Sequence, residues 1–155
     1  MTQAIQQDKP WNATENKECF STRLISFTST SQYLGWTKQG FYDEKGYALC
    51  GIAANECVLP IGGRLDIENI PDGASETILL GEISELLRPW GDPNNVRDPR
   101  LGLNTSPSGF GSSCPDGGTI IGFCDTSVRR LNKNIDPAVL RALALPNDGE
   151  KRSIR

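Results

Sequence analysis

The stretch Gly109–Leu143, GFGSSCPDGGTIIGFCDTSVRRLNKNIDPAVLRAL, decides the fold. Its β-branched run from Gly118 to Cys124 reads as a strand, Asp125-Thr126-Ser127 turns the chain, and Val128–Leu131 returns as the second arm of a hairpin. Asp136 then caps a helix with Pro137 at its first position, and Ile135 is placed to staple onto Leu140. The helix ends before Pro146, and residues 147–155 (NDGEKRSIR) read as a charged tail.

Working outward, RLDIENIPDGASETILLGEIS contains the turn Pro71-Asp72-Gly73, in which Pro fixes φ and Gly accepts a positive φ. Thr77–Ile83 follows as a strongly apolar, central strand. Glu82 is its anomaly, a carboxylate that must either face solvent or be paired inside. Residues 88–113 read as a long Pro/Gly/Asn loop, a length that marks function or mobility. Residues 37–63 read as an extended insertion with its own short hairpin, and Ser21–Trp36, rich in Ser, Thr and β-branched residues, as one or two strands. Asn12 and Glu15 have capping-box spacing and predict a short helix start, while residues 1–10 form a loose lead-in. The expected architecture is α+β: a mostly antiparallel β-sheet with a short C-terminal helix, one domain over residues 11–146.

Composition narrows the chemistry. With 155 residues, 16 basic against 19 acidic side chains and no long basic run, the chain has neither the charge nor the Arg/Lys–aromatic pattern of a nucleic-acid binder. It has no histidine, which removes Ser-His-Asp and Cys-His nucleophile activation and histidine metal sites. Apolar runs such as TILL and TIIGF are far too short to span a bilayer, and no export signal is visible. Five cysteines leave at least one thiol unpaired within the chain. Cys50 and Cys57 are candidates for a disulfide if the protein is exported, and Cys124, in an apolar strand, reads as a buried inert thiol.

The densest candidate site is oxygen-rich: Asp72, Ser75, Glu76, Glu82, Asp116 and Asp125. Asp72, Glu82 and Asp125 are the candidate calcium ligands, since loop carboxylates and carbonyls can supply the oxygens that calcium takes. The competing reading gives each Asp a local turn to hold, and the EF-hand spacing is absent. Glu82 and Asp125 flanking a cleft would make a carboxylate-based hydrolytic or ligand-binding site with the 88–113 loop. Cys114 lacks an evident activator in the sequence. The Gly-rich segments match no phosphate-binding loop, and Trp11, Trp36 and Trp90 read as core or loop anchors.

The segments PWNATEN, TSQYLGW, RLDIENIPDGASETILLGEI, Pro89-Trp90 and FGSSCPDGGTIIGFCDTSVRRL, in this order, resemble the pseudopilin-like (prepilin-type) proteins abundant in planctomycetes. Those proteins carry a domain of unknown function ending in an H-x9-D-G signature. The resemblance runs through Asp72, Gly73, Ser75, Thr77 and Glu82, then Cys114 and Asp125, over residues 10–146. Cys114 stands where the family has its histidine, Asp125-Thr126 replaces Asp-Gly, and Glu76 replaces an Asn. The family's long hydrophobic N-terminal helix has no counterpart, so the chain reads as a pilin-like globular part alone. The resemblance implies a non-enzymatic domain of the cell surface or envelope that works through contacts with other protein subunits. A homo-oligomer or filament is the implied assembly, and calcium the one cofactor in view.

Overall fold

The computed structural model describes residues 4–35, 37–64 and 66–149. Its elements are, in order, α1 (Lys17–Ser21), α2 (Thr30–Tyr33), β1 (Leu49–Cys50), β2 (Ile52–Asn55), β3 (Ile78–Glu82), β4 (Arg88–Pro89), β5 (Val96–Arg97), β6 (Gly118–Phe123), β7 (Val128–Asn132) and α3 (Pro137–Ala144). Five strands form one sheet in the order β5-β2-β3-β6-β7, and β1 pairs with β4 in a second, two-stranded ribbon. Every pairing is antiparallel except β2 with β5. The fold is therefore α+β with a mostly antiparallel sheet and a short C-terminal helix, as the sequence predicts.

The hairpin and helix follow the local signals closely. β6 and β7 pair from Gly118↔Asn132 to Gly122↔Val128, and the intervening turn places Thr126 at φ 69° with the Asp125 carboxylate accepting from the Ser127 N–H. Asp136 caps α3 through the Ala138 N–H, with Pro137 following it. Leu140 and Leu143 of α3 enter a core with Ile78, Ile83, Leu103, Phe110, Ile121, Phe123 and Leu131, and Ile135 packs against it. Each such leucine stabilises the fold by about 2 kcal/mol through the area it removes from water. A second, aromatic cluster joins Trp11, Phe20, Tyr47 and Trp90, with the Phe20 and Trp90 rings 4.3 Å apart. Gly91 is required there, because a Cβ would collide with the Phe20 ring.

Three expectations are corrected. Ser21–Trp36 does not form strands: Ile25–Phe27 is a 3₁₀ turn and Thr30–Tyr33 a helical turn, as far as these residues are described. Ser29 and Gln32 form a reciprocal capping box, and the Thr22 and Thr28 hydroxyls donate to the carbonyls of Glu18 and Leu24 four residues back. Local hydrogen bonding overrides strand propensity here. Residues 37–63 are not an insertion, since they supply β1 and β2, the latter pairing directly with the central strand. A tight turn does close Tyr42 onto Ala48 beforehand. Residues 88–113 are likewise built into the fold through β4, β5 and a 3₁₀ turn at Pro99–Leu101.

Two further details differ. The first helical turn, Thr14–Asn16, follows Ala13 without a side-chain cap, so Asn12 does not serve as one. Residues 4–10 are exposed but tied down, because fully buried Asn16 accepts from the Gln6 N–H and donates to the Gln6 and Pro10 carbonyls.

Asn55 joins three elements. It is fully buried, its Nδ2 donates to Ile78 O in β3 and Ala144 O at the end of α3, both at 2.8 Å, and its Oδ1 accepts from Cys57 N. Asn55→Ala strands the buried Ile78 and Ala144 carbonyls and the part-buried Cys57 N–H, and is expected to cost about 3 kcal/mol of unfolding free energy in urea denaturation. A loss smaller than that of an ordinary surface substitution would show that α3 is not held this way.

Candidate functional site

The candidate residues are placed by strand ends and turns, and each can be followed to its partners. Gly73 takes φ 94°, the left-handed side that only glycine adopts without strain. Thr77 closes the same turn by donating to Gly73 O, and the Ser75 carbonyl accepts from Arg129. Glu76 lies 3.9 Å from Arg129. The Asp72 carboxylate accepts from the N–H groups of Asp148 and Gly149, clasping the chain just after α3. Asp125 sits in the β6–β7 turn, where Ser127 holds its carboxyl below the usual range.

Glu82 is paired inside. It is 6% exposed, and its two carboxylate oxygens accept from Thr30 N at 3.2 Å and Ile120 N at 3.1 Å. It therefore satisfies the first turn of α2 and a backbone donor of β6 at once. Ile120 lies inside β6, whereas Asp125 lies in the turn beyond its far end at Phe123, and Glu82 sits at the opposite end of β3 from the Ile78↔Phe123 pair. The structure thus does not bring Glu82 and Asp125 to one cleft. Nor does it gather Asp72, Glu82 and Asp125 as a ligand set: among the described residues no three His, Cys, Asp or Glu side chains converge. All three carboxylates already accept from backbone N–H groups, Asp72 and Glu82 through both oxygens and Asp125 through Oδ1.

Cys114 lines a cleft of about 380 Å³ with Asn104, Ser112, Lys133 and Glu85. The basic neighbour missing from the sequence reading is Arg130, whose Nη2 stands 3.7 Å from the Cys114 sulfur across the hairpin. Its charge is already taken by Asp116, whose carboxyl is lowered by the Gly118 N–H and by Arg130. Asn104, at φ 57°, uses its side chain internally, donating to Gly117 O and accepting from Ser112 N. Cys50 and Cys57 are free thiols rather than a disulfide. The Cys50 sulfur is turned to Ile52 O, and Cys57 lies past the end of β2 beside Arg100.

Sequence reasoning missed the most conspicuous surface. The outer side of β2 and β3 forms an apolar groove of about 390 Å³ lined by Ile52, Leu80, Phe27, Ile61, Trp90 and Val96. Leu80 is 37% exposed and Ile61 60%. Ile25, on the 3₁₀ turn that ends at Phe27, adds a further exposed apolar side chain. The signal was present in Ile78-Leu79-Leu80, a run apolar on both faces, which needs cover on both. Trp36, read as a core or loop anchor, lies outside the described residues. No helix among the described residues is long and apolar enough to cross a membrane. No family model, no curated protein and no solved structure matches the chain.

Cys124 is a buried thiol at the end of β6, and burial with the adjacent Asp125 charge pushes it up to about 11. A raised folded-state value favours the neutral thiol, so its contribution is full below the unfolded thiol's value of about 8.5 and lost as pH rises towards 11. Urea midpoints are accordingly expected to fall through this alkaline window, with a shallower fall in Cys124→Ala. Parallel pH profiles for the two proteins would show that Cys124 carries none of the loss.

Proposed function

We propose that the chain is a non-enzymatic, pilin-like or pseudopilin-like domain of the cell surface or envelope, acting through contacts with other protein subunits, including copies of itself. The observation that carries this reading is the apolar groove over β2 and β3. Isolated exposed apolar residues are ordinary, but a groove that gathers Phe27, Ile52, Ile61, Leu80 and Trp90 on one sheet face is the kind of surface that protein partners cover. Pilin-like proteins cover such a sheet face with a long helix, which is what the resemblance in the Asp72–Glu82 and Cys114–Asp125 segments leads one to expect.

The sheet edges favour the face as the contact. β7 presents Arg129 and Arg130 along its length, and charged side chains on an edge strand discourage strand addition. β5, at the other edge, is two residues long. The alternative of a carboxylate-based hydrolytic or ligand-binding domain needs Glu82 and Asp125 together, and each is committed to separate backbone donors. Calcium stabilisation would have to draw on Asp72, Glu82 or Asp125, which lie apart and already accept from backbone N–H groups. Melting temperatures in calcium and in chelator are therefore expected to coincide, and a calcium-dependent rise would restore the ligand assignment.

The contact surface itself is tested by Ile61→Asp and Leu80→Asp. Sedimentation of the wild-type chain is expected to show reversible, concentration-dependent association, with both variants folded and monomeric. At these half-exposed positions the loss of stability should be about 1 kcal/mol or less. A wild-type chain that stays monomeric at every concentration, or variants that associate as it does, would sink the reading.

A further inference from the structure

On the other side of β5 lies a buried cation without a counter-ion. Arg97 is 5% exposed, and its guanidinium donates to two backbone carbonyls, Val96 O from Nη1 at 2.8 Å and Leu86 O from Nη2 at 2.7 Å. Its Nε–H is buried with no hydrogen-bond partner, and no carboxylate among the described residues forms an ion pair with it. A guanidinium has five N–H donors, so three remain unspent. Burying an unpaired charge is strongly unfavourable, which is why buried arginines ordinarily meet a carboxylate.

The nearby carboxylates are already taken. Asp98 forms a two-pronged pair with Arg100, Nε to Oδ1 at 2.8 Å and Nη2 to Oδ2 at 3.0 Å. Glu56 also faces Arg100, at 3.8 Å, and Asp92 is held by Arg88 at 3.1 Å. The charged neighbour that does act on Arg97 is Arg88, which has the same sign; burial first and then this charge push the Arg97 guanidinium below the usual arginine range. Arg97, Arg88, Asn94 and Ser108 line one cleft of about 330 Å³. Its wall includes Leu86, whose φ of 50° is strained for a leucine and whose carbonyl Arg97 holds.

The geometry points to a binding site for a small carboxylate ligand in this cleft, seated between the Arg97 fork and the exposed Arg88. Guanidinium and carboxylate are matched planar groups, and the two Nη–H donors that Arg97 leaves unspent supply its side of the pairing, while the Nε–H stays sealed behind them. A single negative charge suits the cleft better than a phosphate dianion, because Glu56 and Asp98 also stand on its wall. This site does not depend on the apolar groove, and it turns the 88–113 segment to ligand binding through arginines rather than through Glu82 and Asp125.

The test is a titration of the full chain with sodium acetate, against sodium chloride at matched ionic strength. It is followed by the arginine Nε–H resonances in nitrogen-15 spectra, where Arg97→Met identifies the Arg97 signal by its loss. Acetate is expected to move that resonance saturably where chloride does not, and Arg88→Gln to weaken acetate binding about tenfold, the worth of one charge-assisted hydrogen bond. Arg88 is on the surface, so this variant decides the matter even if Arg97→Met does not fold. An acetate response no larger than that of chloride, or wild-type affinity in Arg88→Gln, would overturn the site. Inorganic phosphate binding more tightly than acetate would overturn the carboxylate assignment.

Discussion

A carboxylate that has to be buried sets the middle of this molecule. Glu82 ends the central strand, and its side chain lies where water cannot reach it. Ionised and unpaired there, it would cost several kcal/mol. Two backbone donors answer it, Thr30 N from the α2 turn and Ile120 N from β6. The same contact solves the problem of the donors: Thr30 opens a helical turn whose first N–H groups have no partner of their own. The arrangement fixes where the segment before α2 must arrive, and the Ser29–Gln32 capping box then settles that segment beside Gly51. Asn55 does the corresponding work at the other end of β3, reaching Ile78 O and Ala144 O. Between these two buried polar side chains, one face of the sheet is closed by α3 and the other is left apolar.

What was legible in the sequence was what is local. The β6–β7 hairpin, the Asp136 cap and α3 each depend on residues within a few positions of one another, and their limits come out within about a residue. β2 was illegible because Ile52-Ala53-Ala54-Asn55 has little strand propensity; it is a strand because β3 and β5 pair with it on either side. β5 is hidden for the same reason, two residues in an Asn- and Pro-rich stretch whose pairing is wholly non-local. The helical turns at residues 25–33 show the opposite error. There a Ser/Thr-rich composition suggested strands, but the hydroxyls were spent on local backbone bonds.

The candidate site divides along the same line. Asp72, Gly73, Ser75, Thr77 and Asp125 were visible as a motif, and their partners show the work they do: turns, a clasp on the chain after α3, and an anchor for Arg129. The neighbour of Cys114 needed the hairpin register, which puts Arg130 opposite Ile120 and within reach of residues 114–116. Arg97 could not have been singled out. An arginine between Val96 and Asp98 in a polar stretch reads as solvated, and only its pairing position opposite Asn55 carries it inside.

That parallel β2–β5 pairing has a kinetic side. β6, β7 and α3 follow one another along the chain with short connections, so their contacts close small loops and can form early. β5 reaches β2 only across a long intervening segment that contains the whole central strand, and such a closure is slow to be rewarded. That closure spans 42 residues (Ala54 to Val96), much as β6 closes onto β3 over 40 (Gly81 to Ile121), but it is rewarded by only two residue pairs, so the strand that buries Arg97 gains least from closing early. Its interactions would be absent from the transition state, so changes in β5 would speed unfolding and leave the folding rate nearly untouched, while changes in the hairpin would do the reverse. The arginine cleft therefore opens beside the edge of the sheet held by the fewest residue pairs.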